Sequence, residues 1–341
     1  MGPSVWIASD GRAGIERQAL AIAWALGEPH RWAQLSHIVS EAKRPPPIRL
    51  DPKPPQTWLP PDRWPAPLKA LSAETRTAFA PPWPTVFIGS GRRSVPYSLW
   101  LKKQAGAQTY VVQTQDPKAT PDRFDLVIPP EHDHLAGKTV MPILGSPVYF
   151  ADADIEDAGQ TWAGLSETAG KPIAVVLGGT SKTHAFTEAA AARLEAQLRA
   201  LTETGVRLWI TASRRTPEHA RIRFRTLVEE TGGIFWENEA VDGPNPYLGF
   251  LLYAQAAIVT EDSTNMLCDA AWFGLPVHIA KLDAKRASKF DHLHARLIET
   301  GRARRFEGGL SFERTEPLRE VERVADKIVD DLLDRFPRQG T

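Results

Sequence analysis

Residues 256–277, AAIVTEDSTNMLCDAAWFGLPV, decide the fold. A short apolar run, AAIV, is followed by six polar residues, Thr260, Glu261, Asp262, Ser263, Thr264 and Asn265. Apolar residues at helical spacing come next and stop at Gly274-Leu275-Pro276. A continuous apolar run bounded by polar residues reads as a strand buried on both faces, and Gly and Pro beyond a periodic stretch mark a helix end. A second such run, PVHIA (276–280), follows at once. The spacing predicts a parallel sheet covered by helices. A plain connection needs one capping side chain, so six polar residues where strand hands over to helix raise the question of what they hold.

The same unit recurs in both directions. Upstream lie KPIAVVLGG (171–179), RLWITAS (207–213) and GIFWEN (233–238), then the helical YLGFLLYAQ (247–255). A first series holds SVWIAS (4–9), TVFIGS (85–90), QTYVVQ (108–113) and FDLVIPP (124–130), with helical patterns between its members. The expected fold class is α/β, with two Rossmann-like domains facing a cleft and parallel sheets bearing helices on both faces. The domains are read as 1–150, a linker over 151–170, and 171–316. A last helical pattern within 317–341 should pack on a neighbour, with the amino-terminal domain as the candidate. Residues 40–84 are dense in proline, KRPPPIRLDPKPPQTWLPPDRWPAPLK, and are read as an extended surface insertion closed by a short helix in PLKALSAETRTAF.

Composition narrows the class. The 341 residues carry 42% hydrophobic and 24% charged side chains and a formal net charge of zero, so attraction of the whole molecule to nucleic acid is not indicated. The longest apolar runs fall short of the ~20 residues of a membrane span, and the first residues show no export signal. One cysteine, Cys268, permits no intrachain disulfide. The expected location is cytoplasmic, at the inner face of the membrane if the acceptor is there. HDHL (132–135) and DHLH (291–294) read as surface turns, not metal sites, and no metal is expected.

In open α/β sheets, ligands sit beyond the carboxyl ends of the strands. Four loops there are unusually polar. In VVLGGTSKTHAF, Gly178 and Gly179 would let the backbone approach a phosphate, with hydroxyls from Thr180, Ser181 and Thr183 and extra contacts from Lys182 or His184; the bland reading is a turn with a capping hydroxyl. In ITASRRTPEHA, Ser213, Arg214 and Arg215 offer a guanidinium fork, or Thr216 merely caps the helix. In the opening stretch, Ser263 caps a helix beginning at Thr264. Asn265 and Asp269 then share a face, and the Asp269 carboxylate could accept both ribose hydroxyls. In the first domain, Asp10, Gly11 and Arg12 follow strand one, with Gln18 a turn into the helix. Gly89, Gly91, Arg92 and Arg93 nearly complete a dinucleotide fingerprint, with Ser94 at its third glycine. Gln115 and Asp116 are either a turn or part of the cleft wall.

Taken together, SDGRAGIERQALAIAWALG, IGSGRRSVPYSLWLKK, VQTQDPK, VLGGTSKTHAF, ITASRRTP, NPYLGFLLYAQAAIVTEDSTNMLCDAAWFGLPV and KFDHLHARLIETGRARRFEG resemble the bacterial relatives of the plant elongated-mitochondria (mitochondrial fission) protein family across nearly the whole chain. That family looks like the GT-B glycosyltransferases. The resemblance implies transfer of a sugar from a nucleotide-diphosphate sugar to an acceptor, with a lipid-linked or envelope acceptor one option. It implies no cofactor and no metal. By similarity to the donor segment of the enzyme that adds N-acetylglucosamine to the lipid-linked peptidoglycan precursor, Asp269 falls at the ribose and Ser263 to Met266 beside the diphosphate. The catalytic base does not transfer by motif, so Asp10, with Arg12, is the candidate by position. Trp32, Trp58 and Trp64 among Arg31, Lys43, Arg44, Arg49, Lys53, Arg63 and Lys69 would suit peripheral contact with anionic lipid or simple solvation. Two other readings stand: a non-catalytic recruitment protein that keeps the fold, and a nucleotide-sugar epimerase or reductase. The last needs Tyr-x-x-x-Lys, and none of the five tyrosines has a lysine four residues on.

Overall fold

Strands with apolar residues on both faces must be covered on both, and the chain does this twice. The computed structural model describes residues 5–38 and 46–337. The chain divides into two units, one of the residues up to Ala151 plus those from Arg319 onward, the other Asp152–Leu318.

In the first unit, β1 (Val5–Ser9), β2 (Pro47–Arg49), β3 (Val86–Ser90), β4 (Tyr110–Thr114) and β5 (Leu126–Ile128) form a parallel sheet in the order β2-β1-β3-β4-β5. The strands β3 and β4 are buried throughout. Helices α1 (Ala13–Leu26), α2 (Pro29–Gln34), α3 (Ala73–Thr77) and α4 (Val95–Ala105) belong to the same unit. The order reverses between β1 and β3, and a reversal of this kind opens a crevice at the carboxyl ends.

The second sheet holds β6 (Lys171–Leu177), β8 (Val206–Ala212), β9 (Ile234–Trp236), β10 (Ala256–Thr260), β11 (Val277–Ala280) and β13 (Ala303–Arg305). All its pairs are parallel, in the order β13-β11-β10-β6-β8-β9. Counted along this unit, that is the strand order of the dinucleotide-binding fold, with its reversal between β6 and β10. A two-residue antiparallel ribbon, β7 (His184–Ala185) with β12 (Asp283–Ala284), ties the loop after β6 to the loop after β11. Around the sheet run α5 (Asp152–Thr161), α6 (Glu188–Thr202), α7 (Glu218–Thr231), α8 (Glu239–Asp242), α9 (Tyr247–Tyr253), α10 (Thr264–Trp272) and α11 (Phe290–Glu299).

The chain then returns to the first unit as α12 (Glu320–Arg335). Val321, Val324, Ala325, Ile328, Val329 and Leu332 recur at helical spacing and are buried. Polar clasps fix the helix: the buried Arg31 side chain donates to Asp326 at 2.7 Å, the Tyr110 hydroxyl donates to Asp331, and Arg335 pairs with Asp125 at 2.5 Å.

Three expectations need correction. The proline-rich insertion supplies β2, an edge strand whose first residue, Pro47, sits where proline is tolerated in a sheet. It also buries Leu50, Leu71 and Phe79. Lys43 and Arg44 lie outside the described residues. The stretch 151–170, read as a linker, begins at the boundary between the units but carries α5, which packs in the second unit, where the Tyr253 hydroxyl donates to the Gly159 carbonyl at 2.8 Å. Within DHLH, His294 is fully buried on α11 and does not sit in a surface turn.

Candidate functional site

The loops after β6, β8 and β10 meet at the sheet reversal and are knitted together by one carboxylate. Asp262, with no exposed side-chain surface, accepts the Gly179 amide at 2.9 Å and the Thr260 hydroxyl at 2.8 Å. Arg215 Nη2 reaches the same carboxylate at 2.9 Å. The Gly178 amide is taken by Thr260 Oγ1 at 2.7 Å. A buried charge is tolerated because each oxygen has donors.

This corrects the role expected for the two glycines. A Cβ on Gly178 would lie 2.2 Å from Asp262 Oδ1, and one on Gly179 would lie 2.0 Å from the Arg215 carbonyl oxygen. The glycines allow loop to meet loop, and their amides are spent inside the protein. Ser213 and Thr216 have the same fate: Ser213 Oγ donates to the Gly178 carbonyl at 2.9 Å, and Thr216 Oγ1 to the Leu177 carbonyl at 3.1 Å. The exposed Thr180 accepts the Phe186 amide at 3.2 Å.

Above this knot lies a cavity of about 610 Å³. Lys182, Arg215, Arg286 and Lys289 line it, with hydroxyls from Ser181, Thr183, Thr264 and Ser288, the ring of Phe290 and a single carboxylate, that of Asp262. Of the four cations, Arg215 is the one paired with Asp262. Helix α10 begins at the same place. Its N-cap, Ser263, is extended at φ −115 and ψ 91, but its hydroxyl makes no capping bond, contrary to expectation. A helix start without a side-chain cap leaves the positive end of the peptide dipoles turned toward the cavity. Arginine, lysine, hydroxyls and a helix start are what a phosphate ester needs.

Not every candidate reaches this cavity. Asp269 is fully buried and accepts the Tyr247 hydroxyl at 2.8 Å, so the carboxylate expected at a ribose is packed inside. Glu261 is buried too: it accepts the Leu282 amide at 2.8 Å and pairs with Arg305 at 3.1 Å, bracing β10 against its neighbours. Arg214 is exposed and outside the lining; Asn265 is half-buried one residue beyond Thr264. Arg286, Ser288, Lys289 and Phe290 were not among the sequence candidates. Their signal was present, since AKRASK follows β11 at the same carboxyl edge and Lys289-Phe290 open the stretch KFDHLHARLIETGRARRFEG, but no glycine marked a phosphate there.

In the first unit, Asp10 stands at the end of β1 and is held by Arg12, whose Nε donates at 2.8 Å and Nη2 at 2.6 Å. That partner raises the Arg12 pKa. Gly11 and Gly91 have positive φ, 75 and 78, as their turns require. Gly89 makes room for a buried polar cluster: a Cβ there would lie 2.4 Å from Ser98 Oγ and 2.6 Å from Gln113 Oε1. Ser94, at the third position of the near-fingerprint, donates to the Gly91 carbonyl at 2.8 Å. Arg92 and Arg93 are exposed. Gln115 donates to Gln18 at 3.0 Å, while Asp116 accepts the Lys118 amide at 2.7 Å, closing a turn.

Two Rossmann-like α/β units, the second with a cation-lined crevice at its strand reversal, define the class. The chain belongs to the mitochondrial fission ELM1 family, whose pattern matches residues 13–332. It is 25% identical over 268 residues to the mitochondrial fission protein ELM1 of Arabidopsis thaliana, a match covering 71% of this chain and 62% of that protein. The match thus spans less than two thirds of that relative. Among solved structures, the chain is similar to one assigned as a UDP-N-acetylglucosamine 2-epimerase from Listeria monocytogenes, at 12% identity and a TM-score of 0.47, covering 98% of this chain and 88% of the other. It is also similar to a glycosyl transferase family 9 structure from Veillonella parvula, at 11% identity and a TM-score of 0.46, covering 98% of each chain.

Proposed function

We propose that the second unit binds the diphosphate of a nucleotide-sugar and that the protein is a glycosyltransferase. The observation that carries this reading is the crevice at the β6/β10 reversal, where Lys182, Arg215, Arg286 and Lys289 surround the uncapped start of α10. As the glycosidic bond to the donor breaks, negative charge grows on the leaving diphosphate. Fixed cations and peptide dipoles stabilise that charge without reorganising. The acceptor hydroxyl must lose a proton, and Asp10 is the carboxylate we assign to take it, with Arg12 setting its orientation.

A second reading, a binding protein without catalysis, is favoured by one observation. Both carboxylates a base could come from are already held: Asp262 in the crevice lining by Gly179, Thr260 and Arg215, and Asp10 by Arg12 at 2.6 Å.

Calorimetry with uridine, guanosine and cytidine diphosphates and their sugar conjugates tests the proposal. At least one should bind, and Lys182→Ala with Arg286→Ala should weaken it about a hundredfold or more, since hydrogen bonds to charged groups are worth roughly 1.5–3 kcal/mol each. Absence of binding by every nucleotide at millimolar concentration overturns the reading. Donor breakdown that survives Asp10→Asn overturns the role of Asp10.

A further inference from the structure

The proline-rich insertion between β1 and β3 buries or half-buries most of its large apolar residues. Leu50, Leu71 and Phe79 are in the core, and Trp64 stands edge-on to Tyr97 at 6.1 Å with its indole N–H donating to the Leu59 carbonyl at 3.3 Å. Trp58 is the exception, at 77% exposed, and Leu59 beside it is 41% exposed. Neither projects by accident of a loose loop. The Trp58 amide donates to the Pro55 carbonyl at 3.1 Å and the Leu59 amide to the Gln56 carbonyl at 2.9 Å, so a closed 3₁₀ turn presents them. Lys53, Arg63 and Lys69 are exposed in the same insertion, and none is ion-paired among the described residues. Two of its acids are engaged: Asp51 accepts the Ser72 amide, and Asp62 lies 3.8 Å from Arg123; Glu74 on α3 is exposed and offsets one of the three cations.

We propose that the Trp58–Leu59 turn inserts into the interface of an anionic lipid bilayer, with Lys53, Arg63 and Lys69 on the headgroups. An indole is stable at the boundary of hydrocarbon and water, and lysine or arginine near an anionic leaflet adds attraction that salt screens. A protein partner fits less well. A stable interface buries about 800 Å² on each side, and two adjacent apolar side chains flanked by like charges do not approach that. The inference goes beyond the nucleotide reading and does not need it.

The test is co-sedimentation of the full chain with vesicles of phosphatidylcholine alone or mixed equally with phosphatidylglycerol. Binding is expected to the mixed vesicles only, and to fall as salt rises. Trp58→Ala with Leu59→Ser should lower the partition coefficient about tenfold, and charge reversal at Lys53, Arg63 and Lys69 should abolish it. Circular dichroism and nucleotide calorimetry should be unchanged in both variants, which separates lost membrane contact from misfolding and from failure of the nucleotide site. Wild-type protein that ignores anionic vesicles, or a Trp58→Ala/Leu59→Ser variant that binds them as the wild type does, overturns the proposal. So does a dimer, seen without vesicles, that the same two substitutions dissolve.

Discussion

Arg215 and the buried Asp262 meet at 2.9 Å on the oxygen that also takes the Gly179 amide. One carboxylate thereby fixes the loops after β6, β8 and β10, and the crevice has its shape because of it. Asp262→Ala would leave the Gly179 N–H and the Thr260 hydroxyl without their acceptor. Each stranded group costs roughly 1–3 kcal/mol, and Arg215, half in solvent, adds less. The expected outcome in urea unfolding is a loss of about 3 kcal/mol, with a smaller loss for Asp262→Asn, which keeps one acceptor oxygen. Equal stability of Asp262→Ala and the wild type would show that the knot does not brace the unit.

Glycine at 178 and 179 is a packing requirement, so alanine should damage the site from behind. The Cβ of Gly179→Ala meets main chain, 2.0 Å from the Arg215 carbonyl oxygen, and that loop must move. The Cβ of Gly178→Ala meets the Asp262 carboxylate, which can move only by giving up its bonds. Both variants should melt at lower temperature and bind nucleoside diphosphate more than tenfold more weakly, with Gly179→Ala the worse of the two. Normal affinity in Gly179→Ala would mean that loop position does not matter to the crevice.

The α/β class was legible because both sheets are built from uninterrupted apolar runs, and the runs KPIAVVL and AAIVT sit at the strand reversal. The loops of the site were legible for the same reason: they follow those strands. What each side chain does there was not. Gly178, Ser213, Glu261 and Asp262 are polar or small in sequence, which suits contact with a ligand as well as contact between loops. Only the three-dimensional structure reveals that their partners are other segments of the protein: Gly178 bonds Thr260 and Ser213, Asp262 bonds Gly179 and Arg215, and Glu261 bonds Leu282 and Arg305. The edge strands β2 and β13, PIR and ARR, carry no apolar alternation and take their conformation from their neighbours, so periodicity missed them.

Asp269 illustrates how a residue can be on the right helix and the wrong face. It accepts the Tyr247 hydroxyl at 2.8 Å with no exposed surface. Tyr247→Phe removes that donor and should cost about 1–2 kcal/mol of stability while leaving nucleoside diphosphate affinity within twofold. Asp269→Asn should behave alike, a change in melting temperature without a change in affinity. An affinity lost at constant melting temperature would return Asp269 to the ribose.

Two buried histidines give the second unit a dependence on pH of known sign. Burial is the main cause that lowers the His294 pKa, to about 4; Arg305 pushes the same way and Asp291 opposes it. His278 is lowered by burial as well. In the unfolded chain both titrate near the ordinary value of about 6.5. Unfolding therefore takes up protons once pH falls below that value, and the native state loses stability. The stabilisation tied to neutral His294 is complete above pH ~6.5, fades as pH drops toward its folded pKa, and amounts to about 3 kcal/mol over that window. Urea midpoints measured from neutral pH down to about 4 should fall steeply for the wild type, less for His294→Gln, and least for His294→Gln with His278→Gln. Slopes that coincide for all three proteins would place the acid sensitivity on the carboxylates instead.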